Sequence, residues 1–224
     1  MGPHLVAPFR EIYDLQTFDL SGNGGDFEGD LSQIEPLRAA MKGCEVVVHL
    51  AATSDEAPFV EILVPNNVIG VYNVLEAAHL EGVRRVVFAS TVQAVAGNLS
   101  AEVPFENQAT PRPNTLYGVT KVLGETMGRW YHDKHGLEFI AIRIGAFQPY
   151  DSPHFAKPWC RELWLSPRDA ASLFRAAIET PGIGYAIVNG TSKTFVEKLS
   201  LRPAREILGW KPQDDARDFY PQAQ

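Results

Sequence analysis

Short apolar runs alternate along the chain with longer amphipathic stretches. The apolar runs, which are rich in β-branched residues, occupy residues 15–20, 45–52, 84–90, 138–145 and 184–190. Their length and composition are typical of strands that are buried on both faces. The amphipathic stretches, most of which end at glycine as helices often do, occupy residues 31–43, 66–82, 116–136 and 166–182. This alternation predicts an α/β fold with helices on both faces of a doubly wound parallel sheet.

The pattern changes after residue 145. The segment "AFQPYDSPHFAKPW" is dense in proline and aromatic residues, and two further helical stretches follow it. Open α/β sheets bind their ligands at the carboxyl ends of the strands. We therefore predict one domain over residues 1–145 and a small substrate-binding lobe over residues 146–224, packed on that edge.

Composition narrows the choice of partners. The chain has 45% hydrophobic and 21% charged residues, as ordinary globular proteins do, and its net charge of −7 argues against a nucleic-acid partner. No window reaches the roughly 18 to 20 apolar residues of a membrane span. Cys44 and Cys160 form no Cys-x-x-Cys pair, which favours a reducing cytoplasm. His132 and His135 lack a third ligand nearby, so we expect no metal site.

The stretch "LYGVTK" carries the strongest chemical signal. Tyr117 and Lys121 lie one helical turn apart on the same face of a predicted helix. A neighbouring ammonium lowers the pKa of a phenol, and such a pair can take a proton from an alcohol. The strand ending in "FAST" adds the hydroxyls of Ser90 and Thr91 at the same edge of the sheet. A hydroxyl, a phenol and a lysine together predict a site that binds and deprotonates an alcohol.

These motifs resemble the extended short-chain dehydrogenase/reductases, the NAD-dependent epimerase/dehydratase group. The matching pieces follow the order of that family over nearly the whole chain: "GDL", "VVVHLAA", "NNVIGVYNVLEAA", "RRVVFAST", "YGVTK", "IRIG" and "LGWKPQD". The resemblance implies a Rossmann-like NAD-binding domain and an oxidoreductase acting on a sugar or sugar acid CH–OH group. In that family Tyr117 would be the base, Lys121 would lower its pKa and hold the nicotinamide ribose, and Thr91, with Ser90 beside it, would be the catalytic hydroxyl.

The same resemblance implies a set of cofactor contacts. Asp19 would bind both hydroxyls of the adenosine ribose and repel a 2′-phosphate, which predicts NAD rather than NADP. Asp30 and Leu31 would lie at the adenine. The remaining expected contacts with the cofactor are Leu50, Ala51, Ala52, Asn67 and Lys121; Asn67 would brace the helix that carries Tyr117, or cap a helix of its own.

Within the family the chain resembles the uronate dehydrogenases. This resemblance implies substrate contacts from Ser54, Thr91, Gln93 and Tyr117, and a carboxylate clamp from Arg161, whose planar guanidinium suits a carboxylate. Val92-Gln93 stands where those enzymes usually have Asn-His, and Ala146 stands where they have serine. A different sugar or sugar acid therefore remains an alternative.

The glycine-rich stretch "SGNGGDFEGD", residues 21–30, is predicted to be a connection after the Asp19 strand rather than a phosphate loop. The family's phosphate loop would precede Asp19 by about 20 residues or more. By that count it falls at or before Met1, so the resemblance implies an incomplete, N-terminally truncated Rossmann domain. Two alternatives stay open: a cofactor-deficient binding module, or a nucleotide-sugar epimerase or dehydratase using the same Tyr117. A homo-oligomer is also an expectation from the family.

Overall fold

The computed structural model describes residues 1–99, 104–105 and 110–219, with residues 155 and 156 described by their backbone alone. Its helices are α1 Gly2–Arg10, α2 Ile34–Met41, α3 Gly70–Leu80, α4 Leu116–His135, α5 Pro158–Leu163, α6 Pro167–Glu179, α7 Arg202–Leu208 and α8 Ala216–Phe219. Its strands are β1 Phe18–Asp19, β2 Phe27–Glu28, β3 Val46–His49, β4 Arg85–Thr91, β5 Glu138–Ile144, β6 Ala146–Phe147, β7 Trp164–Leu165 and β8 Tyr185–Gly190. A π-helical segment, Phe59–Ile69, leads into α3, and Val92–Ala94 forms a 3₁₀ turn.

All the paired strands run parallel. The main sheet has the order β3-β4-β5-β8, while β1 pairs with β2 and β6 pairs with β7 in two small separate sheets. Phe18 lies opposite Phe27 in the β1–β2 pair, and Val47 lies opposite Val86 in the main sheet. The predicted α/β fold with a parallel sheet is confirmed. The N-terminal truncation stays a prediction from the sequence.

Side chains of the main sheet alternate between two apolar cores, one on each face. Val87 and Ala89 of β4 enter a cluster with Leu5 and Phe9 of α1 and with residues of α6. Val86 and Phe88 enter the opposite cluster, which α2, α3 and α4 cover. Helices on both faces make the sheet doubly wound.

Helix α4 begins and ends on local signals. Thr115 accepts a hydrogen bond from the Gly118 N–H at 2.9 Å, and Gly136 ends the helix in the left-handed conformation, with φ 73°. In between, α4 lies close on the sheet, since a Cβ on Gly128 would approach the Phe139 ring to 2.4 Å. This close packing fixes the distance between α4 and the sheet.

The segment after residue 145 has a small core of its own, formed by Ala146, Cys160, Trp164 and Ala216. Asp214 ties the last part of this segment to its earlier part by accepting hydrogen bonds from Ser166 Oγ at 2.5 Å and Tyr150 Oη at 2.9 Å. Ser166 also caps α6, as its position before Pro167 predicts. The division into two domains at residue 145 stays a prediction.

Candidate functional site

Tyr117 and Lys121 lie one turn apart in the first half of α4. Tyr117 is half-buried and Lys121 is 3% exposed. The Lys121 Nζ lies 5.6 Å from the centre of the Tyr117 ring and 4.8 Å from that of Phe88. The predicted phenol–ammonium pair is therefore formed, with Lys121 packed against two aromatic faces.

The electrostatics of this pair differ from the expectation. Burial, with the negative charge of Asp55, raises the pKa of Tyr117 to about 12. Burial also lowers the pKa of Lys121 to about 7. Since an amine with that pKa carries only part of its charge at neutral pH, it offsets little of the cost of a buried phenolate. The lowering of the Tyr117 pKa by Lys121 therefore stays a prediction, since burial and the charge of Asp55 raise that pKa in this structure.

His49 is a third titratable group in this region. It is 6% exposed at the end of β3, with its ring centre 5.7 Å from that of Phe88. Burial, and then the charge of Lys121, lowers its pKa to about 3. His49 is thus a neutral imidazole over the physiological range, and it adds no positive charge beside Lys121.

The two hydroxyls at the end of β4 point to different partners. Ser90 Oγ donates to Glu125 Oε1 at 2.6 Å, and Glu125 is held by the buried Arg143 through two bonds of 2.8 Å. Ser90 is 2% exposed and belongs to this internal ion-pair network, so its proposed catalytic role is corrected. Thr91 Oγ1 accepts a hydrogen bond from the Gln93 N–H at 3.2 Å, which leaves its own O–H as a donor.

Gln93 braces the start of α4. Its Oε1 accepts a hydrogen bond from Thr115 Oγ1 at 2.6 Å, and its carbonyl oxygen accepts one from the Asn114 N–H at 3.3 Å. A Cβ on Gly118 would lie 2.6 Å from that same carbonyl oxygen. Gln93 therefore positions the first turn of α4, and its carbonyl groups are used within the protein.

Asn67 ties the loop after β3 to α4. Its Oδ1 accepts from the Thr53 N–H at 2.8 Å, while its Nδ2 donates to the Thr53 carbonyl at 2.9 Å and to Thr120 Oγ1 at 3.2 Å. Thr120 Oγ1 in turn donates to the Tyr117 carbonyl at 2.7 Å. These bonds agree with the bracing interpretation, and Asn67 caps no helix, because it lies inside the π-helical segment.

A cavity of about 230 Å³ lies at the carboxyl ends of β1 and β3. Five of the eight predicted cofactor contacts line it: Asp19, Asp30, Leu31, Ala51 and Ala52. The other three do not: Leu50 packs against the core on the α1 side, Asn67 is bound to Thr53, and Lys121 packs against Tyr117 and Phe88. The volume suits a nucleoside, and is below the roughly 300–1,000 Å³ typical of pockets for larger ligands.

The two acids of this cavity are ordered by their own neighbours. Asp19 is exposed, and its Oδ1 accepts from the Leu20 N–H at 2.8 Å and from Asn23 Nδ2 at 3.1 Å. Asp30 Oδ1 accepts from the Ser32 N–H at 2.7 Å, and hydrogen bonds from Ser32 hold the pKa of Asp30 below its usual value. Both carboxylates thus accept hydrogen bonds from their own segment of the chain.

The predicted substrate contacts lie on two separate segments. Ser54 is exposed on the loop after β3, which also carries Asp55 and Glu56. Glu56 Oε1 accepts from the Leu116 N–H at 2.8 Å, so this loop reaches the first turn of α4 beside Tyr117. Arg161 is half-buried on α5, next to β6, which follows directly on the end of β5.

Sequence reasoning missed Asp55, Glu56, Thr53 and Thr120. The acids of "TSDEA" directly follow a strand end, which is a position where ligand-binding residues concentrate, but nothing local connects them to a helix 60 residues later. Within the described ranges, no group of three or more metal-ligating side chains is present. No helix in that part of the chain is long and apolar enough to cross a membrane.

The parallel doubly wound sheet, with an acid-lined cavity and a Tyr–Lys pair at its carboxyl edge, defines a Rossmann-like enzyme class. The family described as "NAD dependent epimerase/dehydratase" matches residues 8–150, and the chain belongs to this family.

Individual relatives support this assignment. The chain is 35% identical over 207 residues to an NAD-dependent glucose-6-phosphate dehydrogenase of Haloferax volcanii, covering 86% of this chain and 77% of the relative. It is 35% identical over 198 residues to a uronate dehydrogenase of Agrobacterium fabrum, covering 85% and 69%. The solved glucuronic acid dehydrogenase of Chromohalobacter salexigens matches with TM-score 0.88 and 26% identity, over 100% of this chain and 85% of that one.

Proposed function

We propose that this chain is an NAD-dependent oxidoreductase that oxidises a CH–OH group of a sugar or sugar acid. The observation that carries this proposal is the Tyr117–Lys121 pair, held at the carboxyl edge of β4 beside Thr91. The relatives named above, a glucose-6-phosphate dehydrogenase and two enzymes of uronic acids, support the same reaction class.

The cavity residues fit the adenosine part of NAD. Asp19 at the end of β1 would accept hydrogen bonds from the ribose hydroxyls, and its charge disfavours a 2′-phosphate. Asp30 and Leu31 would contact the adenine, with Ala51 and Ala52 providing close approach. NAD, when bound, would accept the hydride. Lys121 would hold the nicotinamide ribose.

Each residue of the site has one task in the proposed reaction. Thr91 donates a hydrogen bond that orients the reacting oxygen, and Tyr117 takes the proton from that hydroxyl. Lys121 stabilises the phenolate by its charge, to the extent that it is protonated. Asn67 and Gln93 hold the two segments that carry these groups.

The substrate proposed is a uronic acid or a related sugar. Arg161 would bind a carboxylate at the far end of the sugar through two parallel hydrogen bonds. Ser54 and Gln93 would contact hydroxyl groups, and residues 146–219 would form the lobe that encloses the ring. Ala146 and Val92 offer no such polar contact, so neutral aldoses belong in the same test.

The test is a substrate panel followed by NADH absorbance. The unmodified chain, Tyr117→Phe and Arg161→Lys would each be assayed with the same substrates: glucuronate, galacturonate, glucose, arabinose, glucose 6-phosphate and a UDP-sugar. We expect the unmodified chain to produce NADH from a sugar or sugar acid, and Tyr117→Phe to lose this activity. In Arg161→Lys the KM for uronates should rise, while the KM for neutral sugars should not change. Full activity in Tyr117→Phe would refute the assignment of Tyr117 as the base. Epimerisation of the UDP-sugar without net NADH would favour an epimerase, and no NAD binding at all would favour a binding module.

We also propose a homo-oligomer in the cytoplasm. Large apolar side chains are exposed on the π-helical segment, α3 and α4: Val60, Ile69, Tyr72, Val119 and Trp130. Exposed apolar surface often marks a protein contact. Cys44 and Cys160 form no disulfide in the described part of the chain, which fits a reducing compartment. Light scattering after size exclusion would measure the mass of the particle.

A further inference from the structure

The loop between β3 and the π-helical segment is anchored at both of its ends, to the π-helical segment at one end and to the first turn of α4 at the other. At one end, Thr53 is bound at all three polar atoms, by Asn67 and by Asn66, whose Nδ2 donates to Thr53 Oγ1 at 2.7 Å. At the other end, Glu56 Oε1 accepts from the Leu116 N–H at 2.8 Å. Only two residues, Ser54 and Asp55, lie between these anchors.

Asp55 has a conformation that suits this bridge. Its φ of 68° is in the left-handed region, where Asp and Asn are the most tolerated residues after glycine. Its carboxylate is exposed, and its negative charge adds to the effect of burial, which raises the pKa of Tyr117. Because the neighbouring Glu56 is bound to the Leu116 N–H, the anchors hold Asp55 close to the first turn of α4, which carries Tyr117.

Few other charges surround Tyr117 within the described ranges. Lys121 lies on the same helix, and His49 at the end of β3 is neutral. Glu56 is engaged with Leu116, and Glu61 is exposed on the π-helical segment. The turn Val92–Ala94, which packs against α4, carries no titratable side chain.

We propose that Asp55 is a positioning residue that acts on Tyr117 through its charge and so sets the pH range of the reaction. This inference rests on the proposed function. In the oxidative direction Tyr117 must be a phenolate to accept a proton from the alcohol. In the reductive direction it must be a phenol to donate one to the carbonyl oxygen. A carboxylate near it moves both requirements to higher pH.

The test is a pair of pH profiles. Asp55→Asn removes the charge and keeps both the shape and the left-handed tolerance of the residue. In Asp55→Asn we expect the acid limb of the kcat/KM profile for oxidation to move to lower pH. The alkaline limb of the profile for carbonyl reduction should move in the same direction. Each shift should be at least about 0.5 pH unit, which is roughly a threefold change in rate at a fixed pH on the limb. Asp55→Gly should do the same, and Asp55→Glu should keep limbs close to those of the unmodified chain.

Glu11→Gln is the matched control, since it removes one charge from an exposed residue after α1, on the chain before β1 begins. It should leave both limbs in place. Lower rates in Asp55→Asn with unmoved limbs would show a structural role only and overturn the inference.

A second readout is independent of catalysis. Tyrosine labelled with ¹³C at Cζ would be titrated by NMR, with Tyr117→Phe identifying the Tyr117 signal. In Asp55→Asn the Tyr117 signal should ionise at lower pH than in the unmodified chain; an unchanged titration refutes the inference. A chain with no dehydrogenase activity but with this shift would refute the proposed function and leave the charge effect of Asp55 standing.

Discussion

Asn67 Nδ2 donates a hydrogen bond to Thr120 Oγ1 at 3.2 Å, joining the π-helical segment to the helix that carries Tyr117. The two residues are 53 positions apart, and both are at least 95% buried. The same amide also binds the backbone of Thr53. One side chain therefore sets the distance between the loop after β3 and the catalytic helix.

Asn67→Ala should weaken both the fold and the site. It leaves the Thr53 backbone groups without their partner, so we expect the free energy of unfolding to fall by about 1–3 kcal/mol, measured by urea denaturation. Asn98→Ala is the control, because Asn98 makes one exposed bond, to the Thr110 carbonyl. Equal losses in the two variants would contradict the bracing role.

Ser90 and Thr91 should separate stability from catalysis. Ser90→Ala removes one bond to Glu125, so we expect about 1 kcal/mol of lost stability with kcat/KM nearly unchanged. Thr91→Val keeps the branched shape and removes the donor, so kcat/KM should fall on the order of a hundredfold. Steady-state kinetics and urea denaturation of both variants check this, and a large kcat loss in Ser90→Ala would restore Ser90 to the catalytic set.

Asp19 should decide the choice between NAD and NADP. In Asp19→Ser the ribose loses its carboxylate acceptor and a 2′-phosphate is no longer repelled. We expect the ratio of kcat/KM for NAD to that for NADP to fall by at least about tenfold, roughly 1.4 kcal/mol. Asp14→Asn removes the charge of an exposed acid just before β1 and should leave the ratio unchanged. An unchanged ratio in Asp19→Ser would exclude the ribose contact.

Lys121 should make stability depend on pH. Its folded-state pKa of about 7 is below the ordinary 10.5, so between these values the unfolded chain binds more protons than the folded one. Its contribution to the free energy of unfolding therefore rises as pH rises from 7 to 10.5. Lys121→Met removes this penalty, so the variant should be the more stable by on the order of a few kcal/mol at pH 7. Urea denaturation at pH 7 and pH 10 measures the difference, which should shrink at pH 10; a constant difference would contradict the lowered pKa.

Local signals determined much of the fold. The amphipathic residues 116–136 end at a glycine, and α4 follows them from Leu116 to His135, with Gly136 as its C-cap. Ser166 before Pro167 identified the start of α6 in the same way. Strand β1 was predicted over residues 15–20 and covers only Phe18–Asp19; just before it, the Thr17 N–H and Oγ1 both donate to the Asp26 side chain. Strand β2 carried no periodic signal at all.

The sequence by itself determined the class of the fold, the Tyr117–Lys121 pair and the acids at the strand ends, because these depend on periodicity and on residues close in the chain. Only the tertiary structure decided that Ser90 binds Glu125, since which face of β4 meets α4 depends on packing. Only it buried Tyr117 and brought the charge of Asp55 near it, and these two effects, burial first, raise the Tyr117 pKa where the sequence predicted a lowered one. Burial and charge act through space, and a loop held 60 residues away along the chain has no local signature.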